Sequence, residues 1–535
     1  MRRAVLAVLG LAVVCGLILL MWSPPAPENA STQGASIPGA SVPGASPTVP
    51  ATAKAKVLRV GIVTTPADKG YPWNTTGIPN IFTHRAIFQG LTSVSEDGKV
   101  EPLLATSWEA VDPMTWRFTL RENVLFQNGV PFTADAVVFA VSHLTRPGAE
   151  IDSTARELNG LKSAEAESPT SVLIHTKRPE PLLPAALELM VMIEPGQFQR
   201  LGRDGFANEP VGTGPFKLVS WNAAGADLVA FKQAWRAPKV DALEFVEMPD
   251  ISARVQGVLS GRVDVIVSVG YEDVKAVEAG GGKSHISRDS GVLGTVFVLT
   301  KLPKNHPLQD RRVRQALNYA VNKDAYINAL FGGLSRPASQ PAVASVFGYN
   351  TAVKPYPYDP ERAKTLLAEA GYSKGFSFTT DVPAGGGAAM AEAYQLVAAD
   401  LARVGVEMTI HLISVPQLNR GVLQGEWEGD SFGTNYGAQR TTDALRAMKL
   451  HSCLHPHAWY CNTDLSPVIA AAQNASTLEE RRTLTEQVMG AYHEEAPAIW
   501  MHELMFFEGL GPRVHNYRSD IAVIHYDRIE LVDEP

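Results

Sequence analysis

An uncharged apolar run at residues 4–22, preceded by Arg2 and Arg3, decides where the rest of this chain folds. Nineteen apolar residues nearly match the roughly 20 that span a bilayer and slightly exceed the core of a usual signal peptide. Basic residues before the run place its N-terminus on the cytoplasmic side, so everything after it is exported. The segment is either a cleaved signal peptide or an uncleaved N-terminal membrane anchor; no clean small-x-small cleavage site follows it. Cys15 lies within the run, but Val14 stands where a lipoprotein box needs a small residue, so lipidation is not expected.

Residues 23–56 carry Pro24, Pro25, Pro27 and a degenerate Gly-Ala-Ser-x-Pro repeat, with no aromatic residue. Such a stretch buries too little apolar surface to offset the entropy of ordering, and reads as a disordered linker. Its 34 residues reach on the order of 30 Å, from about 5–6 Å times the square root of length. The remaining 479 residues exceed what one hydrophobic core usually serves, so two or more lobes are expected. Lys+Arg 47 against Asp+Glu 55 gives a net charge of −8, which argues against a nucleic-acid partner.

Residues 57–63 alternate and are β-branched, so they predict a strand. Strands are also predicted at 115–120, with Trp116, Phe118 and Leu120 on one face, and at 172–175, 216–221, 243–248, 263–267 and 406–412. Helices are predicted at 132–140 with Thr133 as cap, at 310–331, at 359–370 between Pro360 and Gly371, and at 388–404. Alternating strands and helices with strand-rich insertions indicate an α/β protein of two lobes.

Catalytic patterns do not survive inspection. Gly429-Asp-Ser-Phe-Gly433 fits a nucleophile elbow at Ser431, but that turn needs a strand before it and a helix after it. Neither flank reads that way, so a serine hydrolase is the least favoured reading. Gly282-Lys-Ser284 ends like a phosphate loop, yet Val277 stands where the earlier glycine belongs. His493-Glu-Glu lacks the second histidine of a zinc helix, because Pro497 holds its place. His451, Cys453, His455, His457 and Cys461 fall within eleven residues and suit a borderline metal. The competing reading is a Cys453–Cys461 disulfide with solvated histidines. Export and the pair of cysteines favour it, and thiols so locked cannot ligate.

Without a catalytic constellation, a large exported two-lobed protein is expected to bind a solute between its lobes and not to be an enzyme. A set of segments then carries a family resemblance. They are Phe88-Gln-Gly-Leu-Thr, Val100-Glu-Pro-Leu-Leu-Ala-Thr-Ser-Trp-Glu109, residues 115–139, Pro210-Val-Gly-Thr-Gly-Pro-Phe-Lys-Leu218, residues 252–264, residues 313–325, residues 358–371 and Leu401-Ala-Arg-Val-Gly-Val406. In that order, and spanning 57–520, they resemble the solute-binding proteins of peptide-type ABC transporters, bacterial extracellular solute-binding protein family 5. That class includes oligopeptide, dipeptide, nickel and haem binders.

The resemblance implies a two-lobed periplasmic-binding-protein fold of the large α/β type, with an extra subdomain and the ligand cleft between the lobes. It implies lobe I at 57–297, lobe II at 298–507, a C-terminal return to lobe I at 508–535, and two hinge crossings. The expected partners are a small, peptide-like solute and an ABC permease and ATPase complex in the inner membrane. A monomer without cofactor is expected, periplasmic or tethered by residues 4–22. A metal chelate, haem, opine or oligosaccharide on the same fold is the alternative ligand.

Dipeptide-binding members share the cysteine spacing, but their ligand-reading residues are changed here. Their ammonium-binding Asp falls on Gln439, its Trp on Tyr436, and their carboxylate-binding Arg on Ala384. A neutral amide cannot supply the charge-assisted bond an ammonium needs, and loss of the arginine removes a bidentate clamp. The candidate ligand residues are therefore Tyr71, Trp73 and Asn74 after the first strand, Gly385 and Gly386 at the start of the 388–404 helix, and Tyr436, Gln439, Arg440 and Asp443. The glycines offer free amides to an anion, and Asp443 substitutes for the missing Asp if the register slips. A weak metal alternative uses His451, His455 and His457.

Overall fold

The computed structural model describes residues 55–74, 78–384, 389–437, 442–449 and 451–532, five of them (78, 79, 289, 290 and 449) by backbone alone. Strand Val57–Ile62 pairs in parallel with Ala242–Glu247 on one side and Val265–Val269 on the other. Strand Val265–Val269 is buried on both faces, as strands covered on both sides of a parallel sheet are. Val265 and Val267 point into a core with Leu58, Val60 and Phe245, whereas Ile266 and Val269 point into a second core with Val274, Val277 and Phe507. The period of two sets Ile266 opposite Val265 and Val267, and Val269 changes sides at the register shift after Ile266, where Ser268 has φ 55°.

The two interiors draw on different stretches of the chain. The first gathers residues from Leu58 to Phe245 and returns with Val514, Ile524, Tyr526 and Ile529 near the C-terminus. The second runs from Met248 through Trp500 to Phe507. One ten-stranded sheet passes through both, and its middle is formed by two long antiparallel strands, Lys283–Phe297 and Ala498–Leu510. Their register runs from Lys283 opposite Leu510 to Val296 opposite Ala498, with a shift between Arg288 and Val292. Before the shift Ala498–Leu510 lies beside Val265–Val269; beyond it Lys283–Phe297 lies beside Ser431–Gly437. A bulge at this place bends the strands where they pass from one lobe to the other.

The first lobe carries an antiparallel four-stranded sheet, ordered Ala105–Asp112, Thr115–Leu120, Ser171–Thr176, Leu161–Ser168, packed by helix Ala134–Thr145. Phe118 and Leu120 are buried in it, and Trp116 partly so. Gly212 and Gly214 in the Val-Gly-Thr-Gly turn have no room for a side chain. A Cβ on Gly212 would lie 2.2 Å from the Ile87 carbonyl oxygen, and one on Gly214 2.6 Å from that of Ala86.

Several predicted elements change on folding. The helix expected at 310–331 is two helices, Arg311–Ala320 and Lys323–Phe331. Val321 is extended between them, and the Asn322 side chain accepts from the Ala325 amide to start a second helix. Thr133 precedes its helix in extended backbone but makes no side-chain cap. The strand expected at 263–267 is Val265–Val269, and the helix expected at 388–404 is Met390–Ala402. The 359–370 reading holds: Asp359 accepts from the Arg362 amide, Pro360 opens the helix, and Gly371 follows at φ 90°.

Candidate functional site

Between the lobes lies a cavity of about 350 Å³. Its first-lobe wall includes Glu157, Asn159, Arg178 and Glu180; its second-lobe wall includes Asp443, Arg446, Gln473 and Arg481. The volume falls in the roughly 300–1,000 Å³ range of small-molecule sites.

The first-lobe wall is built from behind. Helix Ser153–Glu157 is tied to the loop after the first strand, because the Thr154 amide donates to the Trp73 carbonyl. Asp152, fully buried at the head of that helix, receives the Tyr71 hydroxyl at 2.9 Å and the Arg146 guanidinium at 2.9 Å. Tyr71 also meets His143 Nε2 at 3.1 Å and lies under Arg203. Burial, with the Asp152 charge adding to it, pushes the Tyr71 hydroxyl well above its usual range, so it stays a donor. Trp73 is fully buried and donates to the Val191 carbonyl. Tyr71 and Trp73 therefore stand behind the wall and hold the helix that ends in Glu157.

The second-lobe wall starts at Asp443, whose carboxylate accepts from the Leu445 amide and from Arg481 at 2.7 Å. Arg481, on helix Leu478–Glu495, also donates to the carbonyls of Ala472 and Gln473. Asp443 thus fixes the short helix Ala444–Lys449, and Arg446 extends from it across the gap. Its Nε and one terminal nitrogen donate to the two Glu157 oxygens at 3.1 and 2.7 Å, and the other terminal nitrogen donates to the Gly437 carbonyl at 2.7 Å. The pair is mostly desolvated, with side chains 22% and 16% exposed. The Arg178–Glu180 pair, at 2.6 Å, stays within the first lobe.

Tyr436 is buried one step behind this wall, its hydroxyl 2.9 Å from His451 Nδ1 and its ring against Trp500. Burial drives the His451 imidazole down to about 3, so it is neutral, and its carbonyl accepts from the Tyr492 hydroxyl. Asn74 lies elsewhere. It donates to Asp68 at 2.5 Å and lines a first-lobe groove of about 630 Å³ with Thr65 and Glu247. Of the candidate residues, Asp443 lines the interlobe cavity; Tyr71, Trp73 and Tyr436 are packed behind it. Gly385, Gly386, Gln439 and Arg440 lie outside the described residues.

Cys453 and Cys461 are joined by a disulfide, which removes both thiolates from any metal site. His455 and His457 sit on the loop so closed, and His451 is buried. Among the described residues no three of His, Cys, Asp and Glu converge as metal ligands. Ser431 is fully buried at the start of strand Ser431–Gly437, its hydroxyl sharing a hydrogen bond with Thr380 and donating to the Thr379 carbonyl. It is in a strand and not on a strand-to-helix turn, so it lacks the exposure that a nucleophile elbow provides.

A second interlobe gap, of about 360 Å³, lies at the crossing strands between Glu96, Asp97, Ser345, Arg288 and Glu503. There the lobes already touch: a Cβ on Gly98 would lie 2.0 Å from the Ser345 carbonyl oxygen. Sequence reasoning did not single out Glu157, Arg178, Glu180, Arg446 or Arg481. Arg446 was within reach, three residues past Asp443 and so on the same helical face. Glu157 was not, since only the fold brings residues 289 positions apart into contact.

Comparison with known proteins agrees with this architecture. The family model described as "Bacterial extracellular solute-binding proteins, family 5 Middle" matches residues 99–449. The glutathione-binding protein GsiB of Pectobacterium atrosepticum is 28% identical over 477 residues, covering 84% of this chain and 88% of the relative. Among solved structures, DppA of Helicobacter pylori in complex with peptide STSA superposes with a TM-score of 0.72 at 22% identity, over 89% of this chain and 98% of that one. HbpA2 of Haemophilus parasuis superposes with a TM-score of 0.74 at 21% identity, over 89% and 100%. At these identities the two structures show the fold.

Proposed function

The chain belongs to the bacterial extracellular solute-binding proteins of family 5, and from that premise we propose that it holds a short peptide or peptide-like solute between its lobes. It then hands that solute to the permease and ATPase of an ABC importer in the inner membrane. The observation that carries this reading is the interlobe cavity, whose charged lining comes from both lobes and is bridged by Arg446 and Glu157. A solute touching both walls favours the closed arrangement of the lobes by its differential affinity for it. The peptide class is supported by the name of the GsiB relative, a glutathione-binding protein.

In this reading 57–297 with 508–535 forms one lobe and 298–507 the other. Asp443 shapes the second-lobe wall with Tyr436 packed behind it, and Gln439, Arg440, Gly385 and Gly386 stay candidate ligand residues on the sequence reading alone. Tyr71 and Trp73 support the first-lobe side, while Asn74 lines the separate groove with Thr65 and Glu247. No step of bond making is assigned to the protein. It works as a monomer outside the inner membrane, with residues 4–22 as its export signal or tether.

The test is to denature the purified protein, identify by mass spectrometry what it releases, and titrate the released compound back by calorimetry. A di- to tetrapeptide or a peptide derivative is expected. Release of a metal chelate, haem or sugar, rebinding with one-to-one stoichiometry, would replace the peptide assignment.

A further inference from the structure

We propose that the turn at Gly98 is the stop on which the lobes come to rest, and that this contact sets the width of the solute cavity. This rests on reading the interlobe cavity as the solute site.

Gly98 lies in the hairpin turn between strands Thr92–Val94 and Val100–Pro102 of the first lobe. Its φ of 79° falls in the left-handed region that favours glycine. The Ser95 amide donates to the Lys99 carbonyl and the Gly98 amide to the Ser95 carbonyl, so the turn is closed on itself. Where a side chain would project stands the Ser345 carbonyl of the second lobe, 2.0 Å from a Cβ built on Gly98. Non-bonded heavy atoms settle at about 3.5 Å, so any side chain here forces the two backbones roughly 1.5 Å apart. The contact is backbone against backbone, and no rotamer change relieves it.

Both sides of the contact are built onto the cavity walls. In the first lobe the Thr92 hydroxyl donates to the Pro184 carbonyl at 2.6 Å, and Val94 packs on Ala185 and Ile521. Leu183 and Ala186, which flank Pro184 and Ala185, line the cavity. The turn is also tied to the crossing strand Lys283–Phe297, because Glu96 accepts from the Arg288 amide at 3.0 Å. In the second lobe Phe347, two residues past Ser345, pairs with Asp443: its amide donates to the Thr442 carbonyl and its carbonyl accepts from the Ala444 amide. Buried Gln340 braces this segment by bonding both the amide and the carbonyl of Asn350, and the Asn350 side chain donates to the Glu486 carbonyl. Glu486 lies on helix Leu478–Glu495, which also carries Arg481, the partner of Asp443. Short hydrogen-bonded steps thus join the stop to either wall.

The experiment reads the distance between the lobes. Nitroxide labels are placed at two exposed sites, Lys162→Cys in the first lobe and Lys364→Cys in the second, in a full chain carrying Cys15→Ser. Double electron–electron resonance is recorded on the protein as purified, and again after unfolding and refolding with an equimolar tripeptide mixture as the probe. Gly98→Asn and Gly98→Ala are compared with Gly129→Asn and Gly129→Ala, with matching circular dichroism as the check on folding. Gly129 has φ 87° and a Cβ there would meet nothing within 4 Å, so its variants bear the same backbone strain without the contact. Asparagine tolerates the left-handed region, so Gly98→Asn keeps the clash while sparing the fold. The parent and the Gly129 variants are expected to share one short interlobe distance. Both Gly98 variants should lose that population and show a distance longer by at least the roughly 1.5 Å that a side chain forces at the turn. Gly98 variants that keep the parent distance, Gly129 variants that lengthen as much, or a parent that shows the short distance neither as purified nor with peptide would each overturn the inference. A short distance seen with the protein's own solute but not with peptide, and lost in the Gly98 variants, supports the stop and counts against the peptide assignment alone.

Discussion

The two walls of the cavity are built in opposite ways. In the first lobe the polar network lies behind the wall: Tyr71 and Arg146 both donate to one oxygen of Asp152, Tyr71 also meets His143, and Glu157 reaches forward from the helix they hold. In the second lobe the network lies in the wall itself, because Asp443, Arg446 and Arg481 all line the gap. Both walls are charged, but Glu157 in the first is held by a network set behind it, whereas Asp443 and Arg481 in the second are themselves part of the wall. Substitutions should separate the two by whether they change stability, binding or both.

The largest effect is expected at Asp152. Asp152→Ala leaves Arg146 without its carboxylate and the Tyr71 hydroxyl without its acceptor, and should destabilise the fold by about 3–5 kcal/mol. Urea unfolding followed by circular dichroism measures it, and a loss under about 1 kcal/mol would remove the rigid-support account.

Next is the buried carboxyl of Glu508, on strand Ala498–Leu510. Burial raises it to about 7. An unfolded glutamate gives up its proton near 4.3, the folded one near 7, so its contribution is complete below about 4.3 and declines as pH rises to 7. Glu508→Gln should therefore be more stable than wild type at pH 8, by about 2–3 kcal/mol, with the gain gone at pH 4.5. Denaturant midpoints at the two pH values test this; an equal difference at both would show that the carboxyl does not titrate in this range.

The histidines act with the other sign. Burial lowers His451 and His502 to about 3 and His84 to about 4. Below about pH 6.5 the unfolded chain takes up protons that the folded one refuses, so stability falls with pH at about 1.4 kcal/mol per pH unit per histidine. His451→Gln should flatten that slope by one histidine's share between pH 6 and 4.

Removing the disulfide by Cys453→Ser with Cys461→Ser should lower stability by about 2–3 kcal/mol on the chain-entropy model, while solute affinity changes less than threefold. A far larger loss of affinity would make the loop part of the site. The smallest stability effect is expected at the cross-lobe pair: Glu157→Gln keeps an amide oxygen for Arg446 and should lower the unfolding free energy by about 1–2 kcal/mol.

This contrast also explains what the sequence disclosed. The family order of segments and the period-two strands made the α/β two-lobed fold readable, and Pro360 with Gly371 bounded one helix. The break at Val321 was not readable, because the helical stripe continues through it and only the Asn322 cap reveals the restart. Tyr71 and Trp73 were located by their place after the first strand, but nothing in that place tells a lining residue from a supporting one. That depends on Asp152 and Val191, far along the chain. Asp443 was readable beside the cysteine loop. Its cross-lobe consequence, Arg446 on Glu157, arises only when the lobes meet.

The most direct measurement is a crystal structure of the protein purified with its own solute. The account predicts solute density in the interlobe cavity, in contact with residues of both walls. Density confined to the first-lobe groove beside Asn74 and Glu247, with the Arg446–Glu157 pair intact, would contradict it.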